Sequence, residues 1–111
     1  MLLAALLAAS GPTVVIPPQP KAAYQALVSL EDYPAAARAQ HQTGTTRVRL
    51  NVAPVGRVTA CTVIASSGTA MLDAATCRIL ATRARFKPGM DSTGKPAGGA
   101  VEAELRWSLP D

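Results

Sequence analysis

Residues 45–65 constrain the fold of this chain most strongly, because they carry the pattern of two strands joined by a tight turn. Apolar and polar residues alternate through the first half of this stretch, and a period of two places the apolar set on one face of a strand. The apolar set is Val48, Leu50 and Val52, and the polar set is Arg47, Arg49 and Asn51. The sequence therefore predicts a first strand with one buried and one exposed face.

Pro54 and Gly56 indicate the turn that follows this strand. Proline presets the backbone for the second position of a type I turn, and glycine accommodates the positive φ of the bulge that comes next. A second strand is therefore expected directly after the glycine, antiparallel to the first. Its alternation slips by one residue around Thr59 and Ala60, which predicts a β-bulge there and turns Cys61 toward the buried face.

A helix is expected after the hairpin, over residues 70–83. Thr69 can cap its start, and Asp73 lies in the first turn, where a negative charge is favoured. Two adjacent stripes recur at helical spacing and together make one broad, mainly apolar face. One stripe contains Leu72, Thr76, Ile79 and Arg83, with Ala75 beside it, and the other contains Cys77, Leu80 and Ala84. This pattern predicts a helix packed on the buried face of the sheet.

A third strand closes the chain, after a polar loop at residues 89–99. Its apolar residues, which alternate with polar ones, are Val101, Ala103, Leu105, Trp107 and Leu109. A strand–helix–strand crossover is right-handed and returns the third strand parallel to the second. We therefore predict an α+β fold in which a small three-stranded antiparallel sheet, in the order second, first, third, packs against two helices. The third strand is expected to have the only edge left free for a partner.

The residues before the hairpin divide into three parts. Residues 1–11 are apolar and as long as the core of a signal peptide, with Ala8 and Ser10 at the spacing of a cleavage site. We expect an exported protein; the alternatives are a buried N-terminal helix or a true start further upstream. Residues 12–26 contain three prolines within 17–20 and predict an extended linker, and residues 27–111 are expected to form the domain.

The start of this predicted domain contains one ambiguous segment and one short helix. Residues 22–30 are mildly apolar and fit either a strand or a helical turn. Pro34 would lie in the first turn of a helix, where its missing N–H costs no hydrogen bond, so a helix is expected over residues 34–42. His41 lies at the polar end of this helix and is interpreted as a surface residue.

Charge and cysteine content exclude several classes of function. The chain has 11 basic and 7 acidic residues, a net charge of +4, but the basic residues are scattered without aromatic residues between them, which argues against a nucleic-acid partner. Cys61 and Cys77 fit one disulfide in an oxidising compartment, and two buried free thiols are the alternative. These thiols and the lone His41 are too few to bind a metal, so no metal or other cofactor is expected.

Catalysis is not expected either. Ser66, His41 and Asp73 are present, but no strand–turn–helix nucleophile elbow surrounds the serine. A cysteine that is bridged or buried cannot also act as a nucleophile. The glycines at residues 94–98 lack the pattern of a phosphate-binding loop. We therefore predict that the protein is not an enzyme.

A series of short motifs follows one another in the chain: Asp-Tyr-Pro at residues 32–34, Gly-Arg-Val-Thr-Ala-Cys at 56–61, Ser-Ser-Gly at 66–68, Leu-Asp-Ala-Ala-Thr-Cys-Arg at 72–78 and Arg-Phe-Lys-Pro at 85–88. In this order they resemble the C-terminal domain of the TonB family of energy transducers, in its periplasmic forms with a cysteine pair. The resemblance implies a periplasmic location, or association with the inner membrane if the true start lies upstream. The resemblance covers residues 27–110. It implies the element order helix, strand, strand, helix, strand, which is also the order expected from the residue patterns.

The resemblance also implies a mechanical function in the uptake of siderophores or other nutrients. In the family, the domain pairs its last strand with an N-terminal segment of an outer-membrane transporter, and an inner-membrane proton-driven motor supplies the energy. Carried over to this sequence, the partner-binding residues are Tyr33, Pro34, Val101, Glu102, Ala103, Glu104, Leu105, Arg106 and Trp107. The alternative is a structural or interaction domain of the cell envelope, in which the free edge pairs with a second copy to give a homodimer.

Overall fold

The computed structural model describes residues 12–110, so the leader expected at residues 1–11 lies outside the described part of the chain. The described part begins with strands β1 (Val14–Ile16) and β2 (Gln19–Pro20), two 3-10 helices (Tyr24–Leu27 and Leu30–Asp32) and helix α1 (Ala35–Ala39). Strands β3 (Gly44–Val52) and β4 (Val58–Ala65), helix α2 (Ala70–Arg83) and strands β5 (Phe86–Lys87), β6 (Gly89–Asp91), β7 (Pro96–Ala97) and β8 (Gly99–Trp107) follow.

The main sheet has the strand order β4-β3-β8, and both strand pairs are antiparallel. β4 and β8 are therefore parallel to each other, as the crossover through α2 requires. This arrangement confirms the predicted α+β fold class. One expectation is wrong, because within residues 12–110 β4 also has no strand on its outer side. Helix α2 packs on β4 through side chains, and such packing supplies no second ladder of main-chain hydrogen bonds.

The hairpin has the predicted turn. The Gly56 N–H donates to the Ala53 carbonyl at 2.8 Å, which places Pro54 at the second position of the turn. The φ of Gly56 is +89°, and a Cβ atom at this position would lie 2.1 Å from the main-chain oxygen of Phe86. Both the turn and the close approach of the next segment therefore require glycine here.

The predicted bulge is also present in β4. Asn51 lies opposite Ala60, whereas its neighbour Val52 lies opposite Val58. Thr59 is consequently the extra residue of the bulge, and its hydroxyl donates to the Asn51 carbonyl at 3.2 Å. The bulge accounts for the slip in the alternation that the sequence displays.

The core lies between the sheet and α2, in two adjoining clusters. One cluster contains Tyr33, Ala37, Leu72, Ala75, Ile79, Leu105 and Trp107. The other contains Val48, Leu50, Val52, Leu80, Ala84, Phe86 and Ala103. The opposite face of the sheet is exposed, as the strict alternation of buried and exposed residues along β3 and β8 requires.

A disulfide between Cys61 and Cys77 joins β4 to α2, with 5.6 Å between the two Cα atoms. Both cysteines pack against the core. The disulfide interpretation of the two cysteines is confirmed over the alternative of two free thiols.

The structure differs from the predicted linker over residues 12–26. The first part of the segment is extended, but β1 pairs with β6 and β2 pairs with β5, and the segment ends in the 3-10 helix that begins at Tyr24. The Lys21 N–H also donates to the Arg85 carbonyl at 2.9 Å. Pro20 fits β2 because this strand lies at a sheet edge, where a missing N–H can face away from the ladder.

Three further local expectations differ from the structure. The loop expected at residues 89–99 contains a small hairpin of β6 and β7, whose turn is held by Asp91 through hydrogen bonds from Thr93 and Lys95. Helix α1 covers only Ala35–Ala39. Thr69 occupies the N-cap of α2 without a side-chain cap hydrogen bond, because Asp73 and the serines of the preceding loop tie the helix start together.

Candidate functional site

Strand β8 presents a regular free edge. It pairs with β3 from Gly99 opposite Val52 to Trp107 opposite Gly44 without a change of register. Nothing else in residues 12–110 forms a strand on its outer side. The pairing of β4 with β3 shifts near both ends, and such irregularities interrupt the even spacing of main-chain donors and acceptors. Of the two edges, β8 is therefore the better template for an added strand.

The contact of one side chain, Gln25, shows which main-chain groups of β8 point away from β3. The Gln25 side-chain oxygen accepts the Arg106 N–H at 3.0 Å, and the Gln25 amide nitrogen donates to the Arg106 carbonyl at 2.8 Å. Both main-chain groups of Arg106 therefore point away from β3. Because these directions alternate along a strand, the N–H and C=O groups of Ala100, Glu102 and Glu104 also point outward. Together they form a ladder of donors and acceptors along the edge.

Trp107 anchors the C-terminal end of β8 in the core. Its indole N–H donates to the Thr76 hydroxyl at 2.8 Å, and that hydroxyl donates to the Leu72 carbonyl of α2 at 2.8 Å. The Tyr33 ring meets the indole edge to face, with 5.2 Å between ring centroids, and its hydroxyl donates to the Gln42 carbonyl. Burial raises the pKa of Tyr33, which keeps this hydroxyl neutral. These contacts hold the C-terminal end of β8 in place.

A groove of about 410 Å³ lies beside the C-terminal end of β8. Its walls include Leu30, Tyr33 and Leu109, together with Gln25 and Arg106. A second depression, of about 420 Å³, follows the polar side of the edge and is also lined by Gln25 and Arg106. The two depressions therefore adjoin where Gln25 contacts β8, and the free edge and the groove form one surface.

The segment that forms the outer wall of the groove is tied to α2. Arg83 donates to both carboxylate oxygens of Asp32, at 2.8 and 2.7 Å, and to the Leu27 carbonyl at 2.9 Å. Hydrogen bonds from Arg83 and from the Ser29 N–H lower the pKa of Asp32 well below its usual value. Asp32 therefore stays ionised and holds both arginine contacts across the usual pH range.

The exposed side chains of β8 are charged. Glu102, Glu104 and Arg106 project from the exposed face of the sheet. Arg47 on β3 forms an ion pair with Glu102 at 2.6 Å. These charges keep the edge soluble while its main-chain groups stay accessible.

The residues that the sequence proposes for partner binding fall into two groups. Glu102, Glu104 and Arg106 are exposed, and Val101 and Pro34 are half-buried. The remaining four are buried and belong to the core: Tyr33, Ala103, Leu105 and Trp107. The second group can position the edge, and Tyr33 and Trp107 also line the groove. Their assignment to partner binding stays a prediction.

Two residues of the edge, Gln25 and Ala100, are not predicted from the sequence. Gln25 lies in the segment that fits either a strand or a helical turn, and it belongs to a 3-10 helix. A single exposed glutamine carries no periodic signal that would link it to a strand 81 residues away. Ala100 was missed because the alternation of apolar residues begins one position later, although the main-chain ladder does not depend on side-chain type.

Ser66 and Asp73, candidates for catalysis together with His41, form a structural contact that does not include the histidine. Ser66 and Ser67 donate to the Asp73 carboxylate, as does Thr46 at 2.9 Å. Burial alone would raise the pKa of Asp73, but these hydrogen bonds outweigh it and lower the pKa to about 2. The carboxylate is thus a fixed acceptor that joins β3 and the loop after β4 to α2. Residues 12–110 contain no group of three or more side chains that could bind a metal ion.

Three further findings concern the class of protein. No helix in the described part of the chain is both long and apolar enough to cross a membrane. No curated protein matches the chain. The sequence does match the family described as Gram-negative bacterial TonB protein C-terminal, over residues 30–109. Domains of this family are periplasmic, are not catalytic and act in energy-dependent transport. The match spans most of the 111 residues, and the chain therefore belongs to the TonB C-terminal family.

Proposed function

We propose that this domain captures an extended N-terminal segment of a TonB-dependent outer-membrane transporter by adding it as a strand to the free edge of β8. The observation that carries the proposal is the unbroken edge, with outward main-chain groups at Ala100, Glu102, Glu104 and Arg106. Strand addition uses such groups for affinity, and neighbouring side-chain pockets give specificity. The groove beside Tyr33 supplies a pocket of this kind.

The expected affinity is modest. Four or five main-chain hydrogen bonds contribute about 1 kcal/mol net each, and ordering a flexible segment reduces this sum. A sum of about 4–5 kcal/mol corresponds to a Kd of about 0.2–1 mM, so tighter binding requires side-chain contacts in the groove. Weak binding of this kind suits reversible capture of a transporter. In this function the domain takes part in uptake of siderophores or other nutrients, with an inner-membrane proton-driven motor as the source of energy.

A second copy of the chain is the competing occupant of the same edge. In an antiparallel homodimer centred on Glu102, Ala103 or Glu104, the register places one glutamate opposite another, and like charges directly opposite each other are destabilising. In these three registers a second copy is therefore less favoured than a peptide. Sedimentation distinguishes the two, because a monomer at all concentrations rules out the homodimer.

The test of the proposal is a proline on the outer edge. Glu104→Pro removes an outward N–H that takes no part in the β3–β8 ladder, so the fold tolerates it as it tolerates proline on other edges. The matched control is Glu104→Ala, which keeps the N–H and removes only the carboxylate. We expect Glu104→Pro to abolish calorimetric binding of a transporter N-terminal peptide and Glu104→Ala to retain it. Equal binding by both folded variants would rule out strand addition at β8.

A further inference from the structure

We propose that Gln25 gates the binding edge: its side-chain amide occupies the outward main-chain pair of Arg106 and must swing away before a partner strand can continue into the groove. This inference rests on the proposed function of β8. It assigns to Gln25 control over how far along the edge the partner pairs.

The Gln25 contact has the hydrogen-bond pattern that one residue of an added strand would form. A primary amide carries the same donor and acceptor as a peptide group, and Gln25 uses both of them on one residue of β8, at 2.8 and 3.0 Å. It thereby occupies the hydrogen-bonding position that one residue of an added strand would take. Within residues 12–110, both Gln25 hydrogen bonds go to Arg106, and no strand or side chain pairs with the outward main-chain groups of Glu102 or Glu104. The edge is therefore open up to Glu104 and closed at Arg106.

Gln25 can move without displacing the segment that carries it. Its side chain is exposed, whereas Tyr24 and Leu27 of the same 3-10 helix pack against the core. Arg83 also holds the Leu27 carbonyl at 2.9 Å. A rotation of the Gln25 side chain alone therefore frees Arg106, and the backbone stays in place.

Two lengths of partner follow from this arrangement. A short strand pairs with Ala100, Glu102 and Glu104 while Gln25 stays on Arg106. A longer strand displaces Gln25, pairs with Arg106 and reaches the groove lined by Tyr33 and Leu109. Only the longer strand competes with Gln25, so only its affinity includes the cost of opening the gate.

The test compares Gln25→Ala with Gln40→Ala. Gln40 is also an exposed glutamine whose side chain contacts another residue, but it does not line the groove. The first measurement is amide hydrogen exchange of the free protein, in which Gln25→Ala should accelerate exchange at Arg106 about fivefold or more, since one hydrogen bond contributes about 1 kcal/mol net and 1.4 kcal/mol is tenfold. Gln40→Ala should leave exchange at Arg106 unchanged.

The second measurement is calorimetric binding of two synthetic peptides from the N-terminal segment of a TonB-dependent transporter, one of about ten residues and one of about five. Gln25→Ala should tighten binding of the long peptide about 25-fold and leave that of the short peptide unchanged, because the long peptide no longer has to displace two hydrogen bonds that are each worth about fivefold. Long-peptide binding that Gln25→Ala does not alter would overturn the gate alone. Absence of binding to either protein would overturn the proposed function, and the gate with it. Unchanged exchange at Arg106 would overturn the gate whatever the peptides do.

Discussion

Replacement of Thr76 by valine tests how the end of the binding edge is anchored. The Thr76 hydroxyl accepts the Trp107 indole N–H at 2.8 Å, and both residues are buried. Valine has the same shape but no acceptor, so the indole N–H would lose its partner in a place that water does not reach. An unsatisfied buried donor costs about 1–3 kcal/mol, and the added apolar methyl group offsets about 0.8 kcal/mol of this. The expected loss in free energy of unfolding is therefore about 1 kcal/mol.

The matched control for this substitution is Thr82→Val on the same helix. The Thr82 hydroxyl also donates to the carbonyl four residues earlier, at 2.8 Å, but Thr82 is exposed. The two substitutions share their effect on helix propensity and differ in the buried partner. Urea unfolding followed by fluorescence reads Trp107 directly, because it is the only tryptophan in the chain. Equal losses for Thr76→Val and Thr82→Val would refute the anchoring role of this hydrogen bond.

Two further predictions concern stability. Replacement of Cys61 and Cys77 by alanine opens a loop with a sequence separation of 16 residues, and urea unfolding should show a loss of about 3 kcal/mol; a loss below about 1 kcal/mol would contradict the constraint assigned to the disulfide. The lowered pKa of Asp73, about 2, means that its contribution to stability is complete above the unfolded pKa of about 4 and is lost as the pH falls through about 2. Above pH 4, Asp73→Asn should lower the free energy of unfolding by about 1 kcal/mol after allowance for solvent screening. This difference from the natural protein should disappear between pH 4 and 2. A difference that stays constant with pH would show that the carboxylate charge does not cause it.

The sequence predicts well the elements in which buried residues recur at a regular spacing. Buried and exposed residues alternate over nine residues in both β3 and β8, and α2 has a broad apolar face. In each element the hydrophobic period and the length of the segment therefore indicate the same type of secondary structure. The turn at Pro54 and Gly56 is equally predictable because its residue types are needed locally. Even the bulge at Thr59 leaves a trace, as a slip in the alternation.

The parts that the sequence does not predict depend on contacts between distant residues. β1, β2, β5 and β7 have two or three residues each, too few for alternation to emerge, and they form only because the chain brings their partners alongside. Asp73 is predicted as a favourable charge at a helix start, but its hydrogen bonds to Thr46 and the serines require the folded hairpin. The contact of Gln25 with Arg106 likewise exists only in the folded chain, so the sequence alone does not predict it.

The most direct test of strand addition at β8 is an NMR titration of labelled protein with a transporter N-terminal peptide. The account predicts that the largest amide shifts occur at Ala100, Glu102 and Glu104, whose N–H groups point outward, and that the amides of β4 stay unchanged. Absence of shifts in β8 at millimolar peptide, or shifts confined to β4, would contradict it.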